Sequence, residues 1–484
     1  MNEQQAAAIV REAGGEELLE RLLHLDRTRE ASPPEAAAPR PPDAAARPDY
    51  DVALVGGGLS ILHAPLLAAA GLRVAVFERR RAAVAHREWN ASGPELQALV
   101  DTGLLRAEAL DELVVARYDH GTCAWHGGAS WPVEGVLDHA VDAGGLLQLA
   151  RRLAEEAGVA FFDGHELAAH AAGPGGIVLR FRNGADATAR ILLDGRGASS
   201  PFATADLTCP TVGGVIAGIE EGSGAGQIDP RVGEILASTE GVEAGRQHVW
   251  EAFPGRPGET TVYLFHYAFA SSIRSGELLR LYARFFETLP RYKRGATRLV
   301  RPTFGFIPGW SRLAPPPAPP GPRIALVGDA AARHSPLTFC GFGATLRSLG
   351  PVRDAVVAAL ADGDFSQQRL ACIVDDRPIH RGTGALALLL ASPPQDPAQA
   401  AALNELLDTA FGTLHGMGPE AYAALLRDEM AMGDFVRFLH RTSLRRPRVY
   451  RDVFARLGAG AVGRWGLRMA GALAPGGRSE RNVS

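Results

Sequence analysis

The chain has 484 residues, more than a single core normally organises, so two or three domains are expected. A hydrophobic fraction of 46% is that of a globular protein, and a formal net charge of −4 gives no electrostatic case for nucleic acid. The four cysteines (Cys123, Cys209, Cys340, Cys372) are scattered without CxxC or metal-ligand spacing, so no metal is expected and they read as reduced cytosolic thiols. Met1 to Glu30 lacks the apolar core of a signal peptide, and no run of about 18 uninterrupted apolar residues appears, which points to a cytoplasmic protein, soluble or peripheral on the membrane.

Residues 4–30 carry a helical pattern (Ile9, Val10, Leu18, Leu19, Leu22, Leu23, Leu25), and Ala31 to Pro48, rich in Pro and Ala, reads as an extended, mobile linker. The most informative stretch follows, Tyr50 to Arg80. Val52 to Val55 reads as a buried parallel strand, Gly56, Gly57 and Gly58 as a turn running through Leu59 into a helix, and Arg73 to Phe77 as a second strand ending in Glu78 and Arg79. In this frame the glycines admit a pyrophosphate to the backbone, the helix N-terminus supplies N–H donors, and Glu78 accepts from a ribose hydroxyl. The third glycine of the fingerprint is replaced by Ile61, so looser helix–strand packing is expected there.

Arg87, in the segment that returns after the nucleotide unit, either meets a phosphate or is a surface arginine. A helix is expected over Pro94 to Leu105, then strand, helix and strand at Val136 to Val141, Gly144 to Glu156 and Val159 to Phe162. A strand pair follows (Gly176 to Phe181, Arg190 to Leu193), ending in Asp194-Gly195-Arg196-Gly197. From 209 to 290 the longer strands Val212 to Ile219, Gln247 to Phe253 and Thr260 to Phe269 suit an antiparallel sheet flooring a substrate cavity, with a helix over Gly276 to Thr288. Within it, Trp250-Glu251-Ala252-Phe253-Pro254 sets a carboxylate among aromatics. Glu251 either is a proton donor whose pKa burial raises or points to solvent.

Ile324 to Val327 reads as a strand running into Gly328-Asp329, then through Ser335-Pro336 to Gly341-Phe342-Gly343 and a helix. In flavin enzymes of this layout the aspartate accepts from a ribityl hydroxyl, and the helix start faces the pyrimidine edge of the ring. The two signals, in this order, point to FAD. From Gly384 onward helices are expected over Ala385 to Leu390, Ala398 to Leu414, Ala421 to His440 and Tyr450 to Leu473. The last, with Arg456, Arg464 and Arg468, either lies in a membrane interface or covers the cavity.

The chain resembles the CruA/CruP type of lycopene cyclase-like flavoproteins. The resemblance rests on Arg87-Glu88-Trp89-Asn90, Trp250-Glu251-Ala252-Phe253-Pro254, Phe304-Gly305-Phe306-Ile307-Pro308, and Gly328-Asp329-Ala330 with Ser335-Pro336-Leu337-Thr338-Phe339-Cys340-Gly341-Phe342-Gly343. It implies a Rossmann-type FAD-binding fold of the glutathione-reductase kind, an α/β class with an interleaved antiparallel substrate sheet and a C-terminal helical region. The divisions expected are an N-terminal helix (1–30), a linker (31–48), the FAD-binding part (49–208 and 296–383), the substrate sheet (209–295) and the helical region (384–484). It implies ring closure at the ends of lycopene or a related carotenoid, without net redox change, on FAD kept reduced by NAD(P)H, with Glu251 as the acid or part of a proton relay. The cofactor set carried over is Gly56, Gly57, Gly58, Leu59, Glu78, Arg79, Arg87, Gly328, Asp329, Pro336, Gly341, Phe342 and Gly343. The expected partner is thus a lipophilic small molecule, with peripheral membrane contact through the C-terminal helices. Two other readings stand beside it: a flavin redox enzyme (prenyl reductase or monooxygenase, with halogenase disfavoured by the lack of a Trp-x-Trp-x-Ile-Pro segment), and a carotenoid-binding paralog that does not cyclise.

Overall fold

Val52, Ala53, Leu54 and Val55 are all buried, as a strand covered on both faces must be, and they form the centre of the first sheet in the computed structural model. The structure describes residues 1–28, 37–85, 88–203, 205–314, 320–332, 334–338, 340–371, 373, 377–392 and 397–473. Arg87 lies outside the described residues, as do 29–36, Arg333, Phe339 and 474–484. Tyr50–Val55 pairs in parallel with Val74–Glu78 on one side and Asp186–Asp194 on the other. Ala160–Asp163 extends the parallel run, and Ile324–Leu326 joins the end of Asp186–Asp194 with Leu192 opposite Ile324. The hairpin Leu167–Gly173 and Gly176–Phe181 completes seven strands. Parallel strands place their carboxyl ends on one edge, so the turns after Val55, Glu78, Asp194 and Leu326 open together.

Ile61 does change the nucleotide unit. After the glycines the chain makes a 3-10 turn, Leu59–Leu62, before only seven residues of α-helix, His63–Ala69. The Ile61 side chain, fully buried with Leu62, Leu96 and Leu346, fills the space a glycine would leave for closer packing.

The second sheet has eight strands. Its spine, Leu207–Ile219, pairs with Gly295–Gly309 along one edge and with Glu259–His266 along the other. His248–Pro254, Val232–Ala237, His120–Ala124 and Ser130–Val133 follow in order. Strand pairing therefore draws the boundary elsewhere than 209–295, because Gly295–Gly309 and His120–Val133 belong to this sheet. The sheet is also not purely antiparallel, since His120–Ala124 runs parallel to Val232–Ala237. Those partners lie over a hundred residues apart, and local alternation carries no record of such pairings.

Alternation along the strands separates two cores. Val212, Trp250, Ala252, Val262 and Leu264 face the helix Glu277–Tyr292 and the N-terminal helix Glu3–Thr28. Val249, Phe253, Tyr263 and Phe265 face the C-terminal helices. The N-terminal helix is broken at Gly15 (φ 78°), and its Asp26 accepts from the backbone N–H groups of Leu278 (2.9 Å) and Leu279 (3.1 Å) at the start of Glu277–Tyr292. The described part of the linker packs on the Gly173–Gly176 turn, with Gly175 donating to the Pro42 carbonyl at 3.4 Å. The helix expected over Ala421 to His440 is two, Pro419–Leu426 and Met432–Arg445. Between them Asp428 turns inward in the left-handed region (φ 65°) to accept from the Ser335 N–H (2.8 Å) and to meet His380 Nε2 (2.5 Å).

Candidate functional site

The turns at the carboxyl edge of the first sheet form one seam. Gly56 has φ 113°, and a Cβ there would collide with the Gly195 carbonyl, so the turns after Val55 and Asp194 touch backbone to backbone. Gly197 lies beside Asp329, and a Cβ on Gly341 would stand 3.1 Å from Asp329 Oδ1, which joins the turn after Leu326 to the start of the long helix Gly341–Asp362. Asp194 knits the seam: its carboxylate accepts from Arg196 N (3.1 Å), Arg196 Nε (3.0 Å), Arg196 Nη2 (2.7 Å) and Ser200 Oγ (2.7 Å). Its own carbonyl accepts from the Val327 N–H.

The expected cofactor residues line this seam unevenly. Gly58 is exposed, with open space where a Cβ would be, which fits a backbone approached by a pyrophosphate. Leu59 follows, half-buried, in the 3-10 turn. Glu78 holds the turn itself, one oxygen accepting from Gly57 N–H (2.8 Å) and the other from Arg80 N–H (3.0 Å). Each oxygen keeps a further lone pair, which fits acceptance from a ribose hydroxyl. Arg79 is exposed at the strand end, Gly328 is in the left-handed region (φ 58°), and Pro336 is buried. Phe342 lies against Trp89 (ring centroids 4.7 Å apart), whereas Gly343 is backed by Glu95, whose carboxylate occupies the place a Cβ would take. Gly343 is thus required by that carboxylate whatever binds in front of the helix.

Glu251 lies on the cavity face of its strand, while Trp250 points the other way and stacks on Tyr292 (4.7 Å). The half-buried carboxyl forms no ion pair among the described residues. It accepts from Asn90 Nδ2 at 2.6 Å and opens on a cavity of about 30 Å³, room for one water, walled by Leu236, Phe265 and Leu426 and by Thr338 and Cys340. Burial pushes its pKa up to about 7, with the Asn90 hydrogen bond opposing the shift. Thr338 and Cys340 immediately precede the helix Gly341–Asp362, so the acid and the expected flavin edge meet at one loop. A larger groove of about 450 Å³, behind the nucleotide unit among Leu66, Ala70, Leu104 and Leu153, has Arg353 as its sole charged wall and reaches none of these groups.

Three residues were not singled out by sequence reasoning. Asn90 sits in a quoted motif, but only the pairing of Glu88–Ala91 with His139–Asp142 aims it at Glu251. Glu95 completes a capping box with Ser92, a Ser-x-x-Glu pattern legible in the sequence, and pairs with Arg347 of the long helix. Burial raises the Glu95 carboxyl pKa, and Arg347 pulls the other way. Asp428 ties the helical region to Ser335, and nothing local in its sequence marks it.

No protein-family model matches the chain, and no curated protein matches it. Its fold is that of known FAD-binding Rossmann-type structures. It is similar to a geranylgeranyl bacteriochlorophyll reductase-like protein from Thermoplasma acidophilum (16% identity, TM-score 0.55), covering 84% of this chain and 98% of that one. It is similar to the halogenase PltM in complex with phloroglucinol and FAD (12% identity, TM-score 0.59), over 88% and 97% of the two chains. The third is PqsL of Pseudomonas aeruginosa, a probable FAD-dependent monooxygenase (17% identity, TM-score 0.50), over 71% and 96%.

Proposed function

We propose that this chain is an FAD-dependent enzyme that closes the ends of lycopene or a related carotenoid into ionone rings, with Glu251 as the acid. The observation that supports this reading is a half-buried carboxyl with no ion pair among the described residues, pushed up to about 7 and facing a small cavity walled in part by Leu236, Phe265 and Leu426 at the loop before Gly341. Gly56, Gly57, Gly58, Leu59, Glu78 and Asp329 would hold FAD, with the Gly341–Gly343 helix start at its ring. When bound and kept reduced by NAD(P)H, the flavin supplies negative charge beside a substrate cation.

The chain's own residues do the proton work. Glu251, protonated near neutral pH, delivers its proton to a terminal double bond, and Asn90 orients the carboxyl during the transfer. The cation left on the substrate is attacked by an internal double bond, closing the ring. A neighbouring carbon then loses a proton to the Glu251 carboxylate, so one proton enters, one leaves and no electrons are exchanged. Leu236, Phe265 and Leu426 exclude water that would quench the cation, and they must part to admit a polyene end.

The test is pigment analysis of a lycopene-accumulating bacterium expressing the chain. Appearance of β- or γ-carotene supports the reading, and unchanged lycopene with folded, flavin-loaded protein overturns it. A second reading, reduction of a polyprenyl double bond, draws support from the fold shared with the geranylgeranyl bacteriochlorophyll reductase-like protein. Glu251 would again be the proton donor, and one NAD(P)H consumed per product would identify it.

A further inference from the structure

Of the eight large hydrophobics that the described residues expose, six lie between Val436 and Leu473: Val436, Leu444, Tyr450, Phe454, Leu467 and Leu473. They stand on the last two helices, Met432–Arg445 and Val449–Leu473, the second broken at Gly458 (φ 75°). The same span, Met432 to Leu473, holds nine arginines against two aspartates, a net +7 in a chain whose total is −4. Arg441, Arg448 and Arg464 are exposed and form no ion pair among the described residues. The opposite side of Val449–Leu473 is ordinary core: Leu457, Ala461, Trp465 and Met469 pack in the cluster that contains Leu426 and Phe265, two walls of the Glu251 cavity.

We propose that the outer face of these two helices docks on the surface of a bilayer carrying anionic lipid. Leu444, Tyr450, Phe454 and Leu467 enter the acyl boundary, and Arg441, Arg448 and Arg464 meet phosphate headgroups. Charge complementarity selects this occupant. A second copy placed symmetrically on the face would set the exposed Arg441, Arg448 and Arg464 against the same three arginines, and neither helix is long and apolar enough to cross a membrane. The proposal stands on exposure and charge alone and is independent of the reaction catalysed.

The test is flotation of the full chain with vesicles of phosphatidylcholine alone and of phosphatidylcholine with one-third phosphatidylglycerol. The chain is expected to float with the anionic vesicles only, and to be released as salt is raised. Combining Arg441→Gln, Arg448→Gln and Arg464→Gln should lower affinity roughly a hundredfold, at about fivefold per charge removed. Combining Phe454→Ser and Leu467→Ser should weaken binding at every salt concentration, with an unchanged circular dichroism spectrum showing that the variant folds. No flotation, or equal binding to both vesicle types, overturns the proposal. So does a solution dimer, seen by sedimentation, that the Phe454→Ser/Leu467→Ser variant dissolves, because the face then belongs to a second copy.

Discussion

Two carboxyl groups, the buried Asp194 in the seam of glycine turns and the half-buried Glu251 on the second sheet, have opposite surroundings. Asp194 receives four hydrogen bonds, two from a guanidinium, and binds the ends of three strands together. Glu251 receives a single amide N–H among the described residues and otherwise faces mainly leucine, isoleucine and phenylalanine, with Thr338 and Cys340 beside them. Burial without a cation holds the proton on, so the well-supplied carboxylate serves architecture and the poorly supplied one is kept as an acid. What sets the candidate acid apart from the structural one is the number of donors around it.

The sharpest way to break the comparison is to neutralise each acid. Glu251→Gln keeps the size and the Asn90 contact but has no proton to give, so turnover should fall roughly 10²–10⁴-fold with the melting temperature held or raised. Loss of stability with retained turnover would reverse the two roles. Asp194→Ala should do the opposite. Stripping the partner from Arg196 costs about 3 kcal/mol, read as a lower denaturant midpoint, because a guanidinium is left with its carboxylate gone.

Within the seam, Gly56 and Gly58 separate folding from binding. Gly56→Ala meets both a backbone collision and a strained φ and should cost at least about 2 kcal/mol of stability. Gly58→Ala has open space and should fold normally while retaining less FAD on purification. Equal stability of the two variants would refute the assignment.

The raised pKa of Glu251 also shapes stability against pH. The folded state holds the proton from the ordinary carboxylate value of 4.5 up to about 7, while the unfolded chain has released it. Protons bound to the folded state alone make stability fall with rising pH, so roughly 2–3 kcal/mol present below 4.5 should be lost by about 7. Urea titrations of the unmodified chain and of Glu251→Gln across that window isolate the contribution, since the variant should lack that part of the slope. Turnover should decline over the alkaline side of the same range as the acid ionises. The smallest effect is expected from Asn90→Leu. Removing the hydrogen bond that favours ionisation should shift the alkaline limb of the rate profile upward by an amount equivalent to about 1 kcal/mol.

Much of the nucleotide unit is legible in the chain because its determinants are local. Tyr50 to Glu78 encodes strand, glycine turn, helix and strand through apolar runs and glycine positions, and the departure at Ile61 announces the altered helix start. The capping box at Ser92 to Glu95 is equally local, readable from four residues. The order of the glycine-rich signals and the class of the fold also follow from sequence alone.

Tertiary structure decided the rest, because it depends on partners far apart in the chain. Gly295–Gly309 and His120–Val133 join the second sheet through pairings that local periodicity does not record. Alternation puts Glu251 and Trp250 on opposite faces, but only the helix Glu277–Tyr292 on one side and the helical region on the other determine which face is the site. The carboxyl's high pKa requires apolar walls from Leu236, Phe265 and Leu426, with no cation among them, and its orientation requires Asn90 from the strand Glu88–Ala91. The sequence supplies a carboxylate in a strand; removal of water by three distant segments makes it an acid.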